Sequence, residues 1–307
     1  MAGKKGSSDY RDVDGILILD KPLGLSSNQA LQQVRKLYRA RKAGHCGSLD
    51  PLATGVLPIC LGEATKFSSF LLGANKTYRA CCRLGQTTTT GDAEGDVLET
   101  RPVRVDEVQI RQILERFVGE IEQVPPMYSA LKHEGQRLYQ LARQGKQVER
   151  KPRQVKIDEL TLQAVTGDSF TFEVSCSKGT YVRTLAEDIG AALGCGAHLT
   201  ALHRSAVEHF SEQDAVTIER LQQPGQQGMD RIDGLLLPVT ATLAQFPELK
   251  LDDATRVDIC HGKRFQSGHD RAPGIYRLVS VDGDFIGLGE VDPEGELKAK
   301  RLMNTAR

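Results

Sequence analysis

Residues 44–61 read Gly-His-Cys-Gly-Ser-Leu-Asp-Pro-Leu-Ala-Thr-Gly-Val-Leu-Pro-Ile-Cys-Leu, a loop of small residues followed by an apolar run. The loop holds one acid, Asp50, between Leu49 and Pro51. Proline favours an extended conformation at the residue before it, and small neighbours let a large flat substrate approach the backbone. A carboxylate held on a rigid loop suits catalysis, but Asp-Pro is also a common turn, and the pattern alone favours the turn.

The segments around this loop predict a mixed α+β fold. Strands are predicted at residues 15–19, 77–84 and 170–176, and helices at residues 26–38, 105–117 and a segment with Leu185, Ile189 and Leu193. Residues 85–95 are polar and are predicted to form a loop. Because strands and helices mix without regular βαβ alternation, α+β is the better class.

The C-terminal part of the chain has a different pattern. A Gln/Gly/Pro linker at residues 222–228 is followed, after residue 247, by several short strand signals. Asp282-Gly283 lies between alternating apolar residues, which is a strong hairpin signal. The pattern predicts a small β-barrel at residues 247–307, and the residues alone do not decide whether it binds anything.

Charge is balanced in total but not along the chain. Lys and Arg number 40, as do Asp and Glu, yet residues 28–45 carry five bases and no acid. Residues 127–156 carry eight bases against two acids. Such polarity can steer a polyanion to one face, and a solvated helix face would account equally well for either cluster taken alone.

Bulk features limit the classes of protein that need to be considered. The 307 residues have room for one large domain, or for a large and a small one. No apolar run approaches the ~20 residues of a membrane span, and residues 1–10 are predicted to be a loose tail without a secretory signal. Seven cysteines without a spaced framework suggest reduced thiols in a cytosol.

Motifs for metals and nucleotide cofactors are missing from the sequence. There is no C-x-x-C pair and no P-loop, and Gly287-Leu-Gly289 is too short for a dinucleotide fingerprint. We therefore expect neither a metal nor a cofactor.

Five segments, in order, resemble the motifs of the TruB family of bacterial tRNA pseudouridine synthases. In chain order they are Gly15-Ile-Leu-Ile-Leu-Asp-Lys-Pro-Leu-Gly24, residues 44–55, Lys76-Thr-Tyr78, Cys176-Ser-Lys-Gly-Thr-Tyr-Val-Arg183 and Gly196-Ala-His-Leu-Thr-Ala-Leu202-His-Arg204. One position departs from the pattern, since Cys46 stands where the family usually has threonine. The ordered set is far more specific than any single motif.

The resemblance implies a fold and an activity. The fold would be a mixed, mainly antiparallel central sheet flanked by helices at residues 11–246, followed by a PUA-like RNA-binding domain at 247–307. Residues 123–153 are basic and poor in aliphatic side chains, and would form an inserted thumb that closes over RNA. The activity would be isomerisation of the T-loop uridine, position 55 of tRNA, to pseudouridine after the base is flipped out.

The resemblance also implies three catalytic residues. Asp50 would be the nucleophile, because the reaction breaks the N1–C1′ bond and leaves an electrophilic sugar carbon. Arg183 would pair with that carboxylate through two nitrogens, although spacing alone fits a surface arginine better. Tyr78 would stack on the uracil, and its hydroxyl could remove a sugar proton. A buried core tyrosine is the ordinary interpretation of the same residue.

Four further residues would contact the substrate. Tyr181 and Leu202 would line the nucleotide pocket, although Leu202 on its own would be assigned to the core. His45 would contact bases displaced from the T loop, or would be a loop histidine without a role. Lys21 would orient the active-site loop or touch phosphate.

Two other functions fit parts of the sequence. An RNA-binding chaperone that folds the T arm would use the basic clusters and the C-terminal barrel equally well. Such a protein gains nothing from an acid facing a polyanion, so Asp50 separates the two hypotheses. A synthase acting on ribosomal RNA would differ only in its substrate. We expect tRNA as the partner, with no membrane and no obligate protein partner, and a cytoplasmic monomer without a cofactor.

Overall fold

The computed structural model describes residues 10–223, 228–267 and 271–304, so nearly all of the predicted tail at residues 1–10 and much of the linker lie outside the described residues. The helices are α1 Ser27–Leu37, α2 Ser68–Gly73, α3 Glu107–Glu115, α4 Leu138–Arg143, α5 Val182–Ala192, α6 Ile218–Gln222, α7 Gly228–Asp233 and α8 Asp253–Cys260. Short 3-10 helices occupy Gly62–Phe67, Glu212–Asp214 and Val239–Leu243.

The strands of the first 211 residues are β1 Gly15–Lys21, β2 Ala43–His45, β3 Ala53–Leu61, β4 Lys76–Leu84, β5 Gln86–Thr88, β6 Val97–Thr100, β7 Gly119–Gln123, β8 Lys132–His133, β9 Gln136–Arg137, β10 Arg153–Thr166, β11 Ser169–Cys176, β12 Ala197–Val207 and β13 Phe210–Ser211. The remaining strands are β14 Glu248–Leu251, β15 Phe265–Gln266, β16 Gly274–Ser280, β17 Phe285–Val291 and β18 Glu296–Leu302.

One mixed sheet dominates the described part of the chain. Its strands run in the order β1-β3-β12-β4-β11-β10-β7, with β2 paired to β3 and β13 to β12. Neighbouring strands are antiparallel except for β3 and β12, which run parallel. The predicted α+β class, with a mainly antiparallel sheet and flanking helices, is therefore confirmed.

Strand β3 is buried on both faces, which explains its unbroken apolar run. Leu57 and Ile59 pack in the larger core, with α1 and α5, while Val56 and Cys60 belong to a second cluster that contains Phe67. Because successive side chains of a strand point to opposite faces, a strand covered on both sides must be apolar at nearly every position. The end of β3 that follows the Asp50 loop is thus fixed within the core.

Residues 123–153 form an excursion between two strands that are neighbours in the sheet. Gln123, at the end of β7, pairs directly with Arg153, at the start of β10. Between them lie the small hairpin β8–β9 and helix α4, whose Leu138 and Leu141 are buried. The excursion therefore leaves and rejoins the sheet at a single point.

The C-terminal residues form a second sheet, in the order β14-β16-β17-β18-β15. It is curled but open, and it fits the small PUA-like fold that was predicted. The Asp282-Gly283 turn lies between β16 and β17, as expected, whereas helix α8 was not predicted. The sheet contacts the rest of the protein through Phe67 and Phe285, whose ring centroids are 5.5 Å apart.

Candidate active site

The loop that carries Asp50 is tied to its surroundings by backbone hydrogen bonds. The Ser27 hydroxyl accepts the Leu49 N–H at 2.6 Å and lies 3.0 Å from the Leu49 carbonyl, to which it donates. On the other side of the acid, the Gly24 N–H donates to the Pro51 carbonyl at 2.9 Å. Leu49 itself is buried in the core. The Asp50 side chain remains 45% exposed, so a rigid loop presents its carboxylate to solvent.

Arg183, in the first turn of α5, is the cation beside that carboxylate. Its Nε lies 3.0 Å from Asp50 Oδ2 and 3.6 Å from Asp92 Oδ2. Its terminal nitrogens donate to the carbonyls of Thr90 at 2.8 Å and Tyr128 at 2.6 Å. The expected two-nitrogen pair with Asp50 is not formed, because both terminal nitrogens hold backbone carbonyls. The guanidinium is thereby fixed in place before any substrate binds.

The environment of Asp50 works against its ionised form. Burial raises the pKa of Asp50, the Arg183 charge lowers it, and the nearby Asp92 carboxylate raises it again. The net direction is upward. Arg183 therefore offsets part of the cost of keeping this carboxylate charged.

Tyr78 lies on β4, with 8% of its surface exposed. Burial raises the pKa of its hydroxyl, and the charge and hydrogen bond of Arg204 oppose that rise. The Asp50 charge also contributes to the upward shift, which places the hydroxyl and the carboxylate in the same electrostatic environment. The tyrosine is both a core residue and a neighbour of the acid, so the two interpretations of the sequence are not exclusive.

Tyr181 is positioned by a glutamine at the base of the excursion. The Gln123 amide donates to the Tyr181 carbonyl at 3.3 Å and accepts the Tyr181 N–H at 3.0 Å. Tyr181 is the N-cap residue of α5, two residues before Arg183. Gln123 thus fixes the start of the helix that carries the cation.

His45 and Leu202 lie on strands that pair with β3, the strand that follows the Asp50 loop. His45, at the end of β2, is half-buried, and burial followed by the charges of Arg204 and Arg137 lowers the pKa of its imidazole. Arg137 belongs to the excursion, so that segment reaches the same side of the sheet. Leu202 pairs with Ala53 across β12 and β3, and faces a cavity of about 410 Å³.

Lys21 does not reach the surface. It has no exposed area, and its ammonium donates to the carbonyls of Pro22 at 2.8 Å and Leu25 at 2.5 Å. Burial lowers its pKa to about 8, although the Asp50 charge works in the opposite direction. A contact between Lys21 and an RNA phosphate is not possible in this arrangement. The alternative, that Lys21 orients the turn beside the loop, agrees with its hydrogen bonds.

Two residues of the site were missed in the sequence. Asp92 lies in the segment predicted to be an ordinary polar loop, yet it is 2% exposed and faces Arg183. Its Oδ1 accepts the Glu94 N–H at 3.1 Å. Gln123 was assigned only to the boundary of the excursion. The clustered threonines before Asp92 were the one signal of an ordered loop, and they did not indicate its partner.

Cys46 points into the protein rather than toward the acid. Its Sγ lies 3.4 Å from the Sγ of Cys60, and both residues are buried. Its N–H donates to the Pro58 carbonyl at 2.9 Å. The cysteine that replaces the usual threonine therefore sits between β3 and the loop.

Metal-binding clusters and membrane-spanning helices are both absent from residues 10–223, 228–267 and 271–304. No group of three or more His, Cys, Asp or Glu side chains is arranged to hold a metal ion. No helix is both long enough and apolar enough to cross a membrane.

Comparison with known families and proteins covers nearly the whole chain. Residues 35–182 match the TruB family pseudouridylate synthase (N terminal domain), residues 183–244 the tRNA pseudouridylate synthase B C-terminal domain, and residues 247–303 the Pseudouridine synthase II TruB, C-terminal. A tRNA pseudouridine synthase B of Methylobacillus flagellatus is 53% identical over 96% of this chain and 97% of its own. The protein of the same name from Burkholderia mallei is 53% identical over 96% and 98%.

A solved structure has the same fold. A chain from the crystal structure of a Cbf5-Nop10-Gar1 complex superposes with a TM-score of 0.71 and 25% identity, over 94% of this chain and 84% of its own. The cluster of Asp50, Tyr78 and Arg183 lies within the matched residues. From the family matches and the full-length relatives together, this chain belongs to the TruB family of pseudouridylate synthases.

Proposed function

We propose that this protein isomerises the T-loop uridine, position 55 of tRNA, to pseudouridine, with Asp50 as the nucleophile. The observation that carries the proposal is the contact of 3.0 Å between Asp50 Oδ2 and Arg183 Nε on a tethered, half-exposed loop. Relatives at 51–53% identity carry the name tRNA pseudouridine synthase B. The proposed activity is that of the family, and the proposed residue roles rest on the geometry of the site.

The reaction needs no redox partner. The N1–C1′ bond breaks, the uracil turns, C5 bonds to C1′, and the proton lost from C5 balances the proton gained by N1. Asp50 attacks the sugar carbon as the base leaves and is released when C5 bonds. Arg183 holds the carboxylate in the attacking position, and because it stays charged when water is excluded, it also limits protonation of the acid.

Tyr78 and its neighbours would hold the flipped base. An aromatic ring that stacks on a base contributes about 1–3 kcal/mol, and Tyr78 is close enough to Asp50 for the Asp50 charge to act on its hydroxyl. Leu202 offers an apolar edge across the same strands. Flipping a base out of a folded loop costs a few kcal/mol, and His45 would contact the bases that are displaced from the loop.

Two peripheral segments would bind the rest of the RNA. The excursion at residues 123–153 serves as the thumb of a catalytic domain at 11–246, since its Arg137 acts electrostatically on His45 and its Tyr128 carbonyl holds Arg183. Residues 247–307 serve as a PUA-like RNA-binding domain. Because RNA is read largely through shape and backbone contacts, the T arm as a whole is the recognised unit.

Location, oligomeric state and the kind of RNA complete the proposal. All seven cysteines are free thiols, which agrees with a cytoplasmic location. The protein would act on tRNA as a monomer, without an obligate protein partner or cofactor. Relatives named for a tRNA substrate favour tRNA over ribosomal RNA.

The test uses a T-arm RNA labelled with tritium at C5 of its uridines. Isomerisation releases that tritium to water, because C5 loses its hydrogen when it bonds to C1′. We expect one equivalent released per RNA, mapped by chemical labelling to position 55, and none from a ribosomal RNA hairpin of equal length. Binding of the T arm without release would favour the RNA-binding chaperone, and release from the ribosomal hairpin alone would favour the other substrate.

A further inference from the structure

Arg204 is the largest fully buried side chain among the described residues, with 1% of its surface exposed. It lies on β12, between the strand that leaves the Asp50 loop and the strand that carries Tyr78. In the two ladders, Arg204 is paired with Gly55 of β3 and with Tyr78 of β4. A buried cation is costly unless the structure satisfies it, so its contacts bear directly on its role.

The guanidinium holds the two ends of the Asp50 loop. Its Nε donates to the Val56 carbonyl at 2.6 Å, and a terminal nitrogen donates to the Gly47 carbonyl at 3.2 Å. Gly47 precedes Asp50 and Val56 follows it, so one planar group spans the segment that presents the acid. No carboxylate pairs with Arg204 in the described ranges 10–223, 228–267 and 271–304.

The same strand register fixes how closely the loop approaches β12. A Cβ built at Gly55, where φ is +97°, would lie 2.3 Å from the Arg204 carbonyl oxygen. Only glycine allows both this backbone conformation and this approach. The parallel pairing of β3 and β12 at the exit of the loop therefore depends on Gly55, and it brings the Arg204 side chain to the Gly47 carbonyl.

Tyr78 and Arg204 lie directly opposite each other on the neighbouring strands β4 and β12. Residues directly opposite in a ladder point to the same face and come into side-chain contact. The Arg204 charge opposes the effect of burial on the pKa of Tyr78, and it also contributes to the lowered pKa values of Lys21, His45 and Lys76. Arg204 is thus a buried fixed charge that acts on several titratable groups around the site.

We infer that Arg204 is a positioning residue for the isomerisation, which fixes the Asp50 loop and the Tyr78 hydroxyl in one rigid unit. The inference rests on the proposed function and deepens it. Arg204 is too buried to touch the substrate, so it acts through the carbonyls of Gly47 and Val56 and through Tyr78. Without it, the carboxylate and the hydroxyl would no longer keep a constant separation across the target ribose.

The test compares Arg204→Lys and Arg204→Met with the wild type and with Arg111→Lys. Lysine keeps the charge but cannot bridge both carbonyls, methionine keeps only the apolar stem, and Arg111 is an exposed arginine on α3. We expect kcat for tritium release to fall at least about tenfold in Arg204→Lys and further in Arg204→Met, while KM and the Kd for T-arm RNA stay within about threefold. Arg111→Lys should behave as the wild type.

A Tyr78→Phe background separates positioning from general weakening of the fold. If Arg204 acts partly through the hydroxyl, the loss caused by Arg204→Lys should be smaller in that background than in the wild type. Folded Arg204→Lys protein with normal kcat, or an activity loss expressed wholly in KM, would overturn the inference.

Hydrogen exchange in the wild-type protein keeps the inference testable if both variants fail to fold. The Ala53 amide donates to the Asp50 carbonyl within this loop, and the Cys46 amide, just before the loop, donates to the Pro58 carbonyl of β3. We expect them to exchange as slowly as amides of β4, and exchange at the rate of an exposed loop would contradict the rigid unit. This measurement does not depend on activity, so it remains valid even if T-arm RNA proves not to be the substrate.

Discussion

The Nε atom of Arg183 lies 3.0 Å from Oδ2 of Asp50 and 3.6 Å from Oδ2 of Asp92, so one guanidinium stands between two carboxylates. The two acids differ in accessibility, because the Asp50 side chain is 45% exposed and that of Asp92 only 3%. Asp50 is therefore the acid that can meet a substrate, while Asp92 faces only the protein. This asymmetry supports the attacking role proposed for Asp50.

Replacing Arg183 by lysine should abolish most of the activity. A single ammonium cannot serve Asp50 and, at the same time, the carbonyls of Thr90 and Tyr128. We expect kcat to fall at least about 100-fold, equivalent to about 2.7 kcal/mol. Unfolding free energy should fall by about 1–3 kcal/mol, because a buried carbonyl is left unsatisfied. Single-turnover rates and thermal unfolding measure the two effects, and near-normal turnover would rule out the assignment.

Tyr78→Phe separates stacking from proton transfer. The ring and its stacking are kept, and only the hydroxyl is removed. If the hydroxyl takes the proton that C5 loses, kcat should drop about 10²–10⁴-fold while the Kd for RNA hardly changes. A matched Tyr10→Phe variant, at an exposed tyrosine outside the excursion, should keep its kcat. Unchanged kcat in Tyr78→Phe would leave Tyr78 with stacking alone.

Asp92→Asn should move the acidic limb of the kcat–pH profile to lower pH. The proposed mechanism needs ionised Asp50, so activity should be lost as pH falls through the Asp50 pKa. Burial raises that pKa, and the Asp92 charge raises it further, so removing the charge must lower it. Single-turnover rates of the wild type and of Asp92→Asn, measured from pH 4 to pH 8, test this shift. A limb that moves upward would contradict the arrangement of charges.

Stability should fall as pH rises through the range in which Glu187 ionises. Burial raises the Glu187 pKa from 4.5 to about 7, so the folded protein binds a proton that the unfolded chain releases. The contribution is complete below pH 4.5 and is lost by pH 7 to 8. In Glu187→Gln, the decrease in unfolding free energy between pH 5 and pH 8 should be about 1–2 kcal/mol smaller than in the wild type. Denaturant titrations at pH 5 and pH 8 test it, with exposed Glu107→Gln as the control.

Local sequence signals predicted the framework well. Ser26 caps α1 through a capping box with Gln29, as the serines before the helix suggested. On β4 the alternation held, with Tyr78, Ala80 and Cys82 buried and Arg79 exposed. These features depend on neighbours within a few residues, so a single sequence contains them.

Long-range contacts were not accessible in the same way. Asp92 can be buried because the positive charge of Arg183, which lies far along the chain, compensates its negative charge. The burial of Lys21 depends on carbonyls that a tight turn collects around its ammonium. Strand β10 was missed because its exposed positions dilute the apolar pattern. Such features arise from tertiary packing, which local propensity does not encode.

The most direct test of the account is pseudouridine formation in unmodified T-arm RNA by wild type and by Asp50→Asn. Asparagine keeps the size of the side chain and removes the nucleophilic charge. We expect chemical labelling to find pseudouridine at position 55 with the wild type and none with the variant, while both bind the RNA and the variant binds at least as tightly, since an acid facing a polyanion has been neutralised. Pseudouridine formed by Asp50→Asn at the wild-type rate would contradict the central claim.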